Sequence, residues 1–146
     1  VFSPRVLAYT TEQDDLCMEM IYDAAGYILT HARGVPVVID GRTFTKRRHV
    51  VRLVEATAAY AEAPCLIECV CDEDRARERL EGSPEAGLHV AKNRDLALFR
   101  RLRDNAEAIT LPHLVVDTGK LSVARSLARC LDYVREPAPS LWSGQD

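Results

Sequence analysis

Cys65-Leu66-Ile67-Glu68-Cys69-Val70-Cys71 runs directly into Asp72-Glu73-Asp74 and a charged segment that continues to Leu80. A short, mostly apolar run preceded by Pro64 and followed by three acids has the length and bounds of a buried strand. The acids then suit the positive end of a helix, and Gly82 suits its other end. A strand that turns straight into a helix is half of a β-α-β unit. Two further apolar runs end in a carboxylate in the same way, Val37-Val38-Ile39-Asp40 and Leu114-Val115-Val116-Asp117. Continuous apolar runs mark strands covered on both faces, which is how parallel sheets are built.

Helical patterns fill the intervals. Thr10 or Thr11 can cap a helix with Gln13 or Asp14 in its first turn, and Leu16, Met20, Ala24, Tyr27 and Ile28 recur at helical spacing until Gly34. A second pattern, 46 to 63, carries Val50, Val51, Leu53, Val54 and Ala58 on one side and stops at Pro64. Residues 82 to 92 hold Gly82, Ser83, Pro84 and Gly87 and read as an excursion. Asn93 or Asp95 can cap the next helix, with Leu98, Phe99, Leu102 and Ile109, and Ser122 can cap the last, with Val123, Leu127, Leu131 and Val134. The order predicts an α/β fold, a three-layer doubly wound parallel sheet, in one domain over 1–136 with an insertion about 80–95 and a tail at 137–146.

Composition bounds the function. The chain has 146 residues, 47% hydrophobic and 28% charged, which excludes disorder and collagen-like classes. Its formal net charge of −3 gives no bulk attraction to membranes or to an extended nucleic-acid surface, so an anion site must be local. Without a membrane-length apolar run or an opening signal segment, a cytoplasmic location is expected. The five cysteines lack both an even count and C-x-x-C spacing, so they read as small buried apolar residues.

Ligands of doubly wound sheets bind beyond the carboxyl ends of the strands, which directs attention to three places. At the first, Asp40 can place a metal-bound water, and Arg42, Lys46, Arg47 and Arg48 crowd the start of a helix. The macrodipole disfavours each cation there by roughly 0.3 to 1 kcal/mol. Either an anion belongs there or these residues form a solvated face with Glu55 and Glu62. At the second, Arg75 and Arg79 share a helix face before the excursion with His89, Lys92 and Arg94. That is either a phosphate-closing segment or a salt-bridged surface helix with a basic loop. At the third, Asp117-Thr118-Gly119-Lys120 can touch a base or simply connect strand to helix. His31 and His113 read as structural, and Asp14, Asp15, Glu19 and Asp23 as a solvated helix face.

The run from Gly34 through Val37-Val38-Ile39-Asp40 to His49, the segment from Cys65 to Leu80, His89 to Asp95, and Leu111 to Gly119 resemble, in that order, small P-loop kinases. The group is the AAA, zeta-toxin, polynucleotide-kinase and chloramphenicol-phosphotransferase-like one, and the resemblance spans about residues 12 to 134. It implies an ATP-dependent phosphotransferase acting on a small molecule or a nucleotide or polynucleotide end, with ATP and Mg2+ as cofactors. Asp40 would help place magnesium and stand nearest the chemistry with Arg79 and Arg94. Arg42, Arg47 and Arg48 would face the substrate. Arg75 and Arg79 would begin a lid at about 80–95 that His89, Lys92 and Arg94 continue toward the transferred phosphoryl group, with Arg75, His89 and Lys92 on the cofactor, and Asp117, Thr118 and Gly119 would border the adenine.

One departure stands out: G-x-x-x-x-G-K-[ST] occurs nowhere in the 146 residues. The family's first strand lies between the two read here at 37–40 and 65–71. The expectation is therefore a carboxyl portion of a kinase whose opening ~40 to 60 residues, including the phosphate loop, lie outside this sequence. The alternative is a non-catalytic α/β module that binds a nucleotide or a protein without that loop. A flavodoxin- or receiver-like domain would need further central strands and an acidic cluster or phosphate loop that the sequence does not offer.

Overall fold

The computed structural model describes residues 10–32, 34–40, 42–60, 64–82 and 95–136. Its contacts divide the chain into two compact units, Val1–Pro64 and Cys65–Asp146.

In the first unit, helix α1 (Thr11–His31) starts where Thr10 accepts a hydrogen bond from the Gln13 amide at 3.3 Å. It ends as Gly34 takes a left-handed conformation, φ 80°, which glycine adopts without a Cβ clash. Helix α2 (Arg47–Thr57) packs against α1. It stops six residues short of the expected 63, and the Thr57 hydroxyl donates back to the Leu53 and Val54 carbonyls. The buried face of α1 is Met18, Tyr22, Ala25 and Gly26. The expected face fails: Leu16, Met20, Tyr27 and Ile28 are all exposed. Both sets have helical spacing, and docking on α2 decides between them. The Tyr60 ring lies over Gly26, where a Cβ would approach it to 2.9 Å, and the Arg52 guanidinium stacks over Tyr22.

The strand expected at 37–40 does not form. Val38 is 87% exposed, and Val37 and Ile39 are only half-buried, so the run is not covered on both faces. A strand exists only through its ladder, and among the described residues the one sheet pairs two other segments.

Those segments, β1 (Leu66–Val70) and β2 (His113–Asp117), form a parallel pair in the second unit, in register from Leu66 opposite His113 to Val70 opposite Asp117. The described chain is thus α/β with a small parallel sheet. Between the strands lie α3 (Glu73–Gly82) and α4 (Leu96–Asp104), and α5 (Val123–Arg135) follows β2. Asp72, Asp95 and Ser122 accept from the amides of Arg75, Leu98 and Arg125, so three of these helix starts are dictated locally. Two expectations fail here as well. Ile109 lies beyond α4, whose end is held by the Asn105 side chain donating to the Arg101 carbonyl. Val123, Leu127, Leu131 and Val134, the apolar set read on the last helix, are exposed, with Val123 at 86%. It is Ser126, Cys130 and Tyr133 that are half-buried on α5, which packs on β2.

Glu73 joins α3 to α4. Its carboxylate accepts from Arg100 and, at 3.0 Å, from Arg103, with Arg77 at 3.4 Å on its own helix. The Arg100 and Arg103 guanidiniums hold its pKa down to about 2 from the usual 4.5.

Two outcomes follow. Met18→Ala costs about 2 to 5 kcal/mol in urea unfolding, whereas Leu16→Ala stays within about 0.5, a contrast that checks which face of α1 is buried. The Glu73 link is fully present above its unfolded pKa of 4.5 and is lost as pH falls toward about 2. Acid titration followed by circular dichroism will therefore show a Glu73→Gln chain with a shallower loss of stability across that window.

Candidate functional site

The described residues of the second unit bring their polar groups together at the carboxyl ends of β1 and β2. Leaving β2, Thr118 donates both its amide and its hydroxyl to the Val70 carbonyl at the end of β1, at 2.8 and 3.0 Å. Arg79 reaches across from α3: Nη1 donates to the Thr118 hydroxyl at 3.0 Å and Nη2 to the Thr118 carbonyl at 2.7 Å. Asp117 closes the turn, with Oδ1 accepting from the Gly119 and Lys120 amides at 3.0 and 3.2 Å and Oδ2 pairing with Lys120 Nζ at 2.9 Å. The Lys120 ammonium, and then the Gly119 amide, hold the Asp117 carboxyl below its usual range. A side chain at Gly119 would meet Asp117 Oδ1 at 3.2 Å and the Arg75 and Cys71 side chains at 3.5 Å, so the close packing of this turn favours glycine.

Beside the turn opens a cleft of about 730 Å³ lined by Arg75, Glu78, Arg79, Thr118, Gly119 and Ser122, with Leu121 and Val123 as its apolar part. Arg75 is held by Glu78 at 2.6 Å. Chemically, the cleft offers one guanidinium spent on fixing backbone, one paired with a carboxylate, and an apolar wall. That combination suits a flat, partly polar ligand with anionic groups near Arg75. The structure thus places Arg75, Arg79, Thr118 and Gly119, read in the sequence at two separate places, around one cleft, with Asp117 supporting the turn. His89, Lys92 and Arg94 lie outside the described residues.

In the first unit the cation-rich stretch is already paired. Arg42 bridges Asp14 at 2.5 Å and Asp15 at 2.8 Å, and Arg48 reaches Asp15 at 3.0 Å. Arg52 makes two bonds to Glu19. The two carboxylates four residues apart on α1 thus match two arginines four apart on α2, a spacing visible in the sequence once the helices are known to face each other. The solvated face expected for Asp14, Asp15 and Glu19 is half an ion-pair ladder in which Arg48 takes Asp15, and Glu62 lies outside the described residues. Arg47 and Asp40 are exposed. No group of three or more His, Cys, Asp or Glu side chains that could hold a metal ion lies together among the described residues. His49, which sequence reasoning passed over, is buried. His31 bonds the Tyr27 carbonyl and stacks on its ring, and His113 bonds the Leu111 carbonyl and approaches Glu68.

No described helix is long and apolar enough to cross a membrane. No family model matches the sequence, and no solved structure matches the fold. Over 95 residues the chain is 30% identical to an adenylyl-sulfate kinase of Bacillus pumilus (strain SAFR-032), covering 65% of this chain and 45% of that protein. The chain spans less than half the length of this relative. The similarity supports a distant kinase-like relationship.

Proposed function

We propose that the chain carries part of an ATP-dependent phosphotransferase, in which the β1-β2 pair belongs to a three-layer doubly wound sheet. The observation that carries this reading is the cleft at the carboxyl ends of two parallel strands, where Arg79 is locked onto Thr118. Ligands of open parallel sheets bind on that side, and phosphoryl transfer depends chiefly on positioning and on charge. The 30% similarity to a kinase agrees with it.

In this reading Thr118 and Gly119 border the base of ATP, and Arg75 exchanges Glu78 for a phosphate. Arg79 acts by holding the turn. Arg94, His89 and Lys92 are assigned to the transferring phosphoryl group, and Asp40 with Arg42, Arg47 and Arg48 to the acceptor side. The phosphate cradle and the magnesium that accompanies ATP are not assigned to the described residues. The acceptor is a small molecule or a nucleotide end, and adenylyl sulfate is the first to try because the similar protein is named for it.

Isothermal titration of the chain with magnesium-ATP tests the cleft. Binding is expected, and Arg79→Ala weakens it at least about tenfold, or ~1.4 kcal/mol, by loosening the Thr118 turn. Thr118→Val, which keeps the backbone but loses the hydroxyl, falls between. Absence of any nucleotide binding by the unaltered chain overturns the reading in favour of a non-catalytic α/β module that binds a protein.

A further inference from the structure

His49 lies in the first turn of α2, 6% exposed, and neither ring nitrogen has a hydrogen-bond partner among the described residues. In the segment before α2, the Arg42 side chain is 7% exposed and its Nε also has no partner among the described residues, although its two terminal nitrogens hold Asp14 and Asp15. The charged groups that act on the imidazole are Arg42 from the connecting segment, Arg48 from α2, and Asp15 and Asp14 from α1. One turn further along the two helices, Glu19 and Arg52 are engaged with each other. The bridge from Arg42 to Asp14 and Asp15 ties the segment before α2 to α1. A proton on His49 would place a third cation beside Arg42 and Arg48, buried and without an acceptor.

We propose that His49 makes this Arg42 bridge acid-responsive, so that uptake of one proton by the imidazole opens the bridge and releases residues 42–48 from α1. The proton comes from solvent, and the imidazolium gains its hydration when the segment lifts. Burial first, and then the Arg42 and Arg48 guanidiniums, lower the pKa of the ring in the closed form below its usual 6.5. The open form therefore binds the proton more tightly. Closure has its full advantage above pH 6.5 and loses it as the pH falls below that value, by up to about tenfold per pH unit in the opening constant, until the closed-form pKa is reached. Asp15 and Glu19, held below their usual values by their arginines, stay ionised through this window. His31 is on α1 but roughly 24 Å along the helix from Asp15. The bridge exists whether or not residues 42–48 receive an acceptor, so failure of the kinase reading leaves this inference standing.

The test is amide hydrogen exchange over residues 42–53 of the 146-residue chain, corrected for intrinsic rates, from about pH 7.5 to about pH 5. The expected result is protection that is level above pH 6.5 and falls below it by up to about tenfold per unit, and a level profile in His49→Gln, which stays polar but does not titrate. Level protection in the unaltered chain, or the same slope in His49→Gln, overturns the proposal. Should His49→Gln fail to fold, ring-resolved NMR of the unaltered chain decides. A His49 ring that remains neutral below pH 6.5 until protection is lost supports the bridge, and one that titrates at the usual value with residues 42–48 still protected overturns it.

Discussion

The second unit depends on how two parallel strands are closed at one end. Parallel neighbours cannot be joined by a tight turn, so β1 and β2 must be brought together by the intervening α3 and α4 segment. The Val70 carbonyl, last on β1, takes both donors of Thr118, first after β2, and Arg79 on α3 ties the same threonine to the helix. One residue thus links both strands and the crossover. The Asp117 turn and the position of α5 follow from that junction, and the cleft is the space left beside it.

The first unit rests on charge matched between two helices. Exposed ion pairs contribute little each, so the Arg52–Glu19 pair is a guide to orientation more than a source of stability. Arg42 differs because its side chain is buried, and a buried guanidinium without its carboxylates is costly. This constraint explains why α1 turns its acidic side toward α2 and leaves Leu16, Met20 and Tyr27 outward. It also explains why the cations at the start of α2 are tolerated: the carboxylates of α1 supply negative charge that offsets cations the helix end disfavours. His49 has no hydrogen-bond partner among the described residues.

Much of the fold was legible along the chain. The strands around Cys65–Cys71 and Leu114–Asp117, and the caps at Thr10, Asp95 and Ser122, were readable because a cap or an apolar run is satisfied within a few residues of itself. The candidate site was readable only as a set of places. That Arg75, Arg79, Thr118 and Gly119 lie near carboxyl ends of strands follows from the β-α-β order. That Arg79 spends both terminal nitrogens on Thr118, 39 residues away, does not.

Periodicity alone identified helices and strands, and with them the α/β class, since both are set by bonding and side-chain spacing along the backbone. It could not select between two apolar faces on α1, because Met18-Tyr22-Ala25 and Leu16-Met20-Tyr27 have similar spacing. Nor could it show that the apolar stripe of α5 stands exposed, or that Val37-Val38-Ile39-Asp40 lacks a ladder. Burial, pairing and charge matching depend on what lies opposite in space, and that was decided only when the helices and strands met their neighbours.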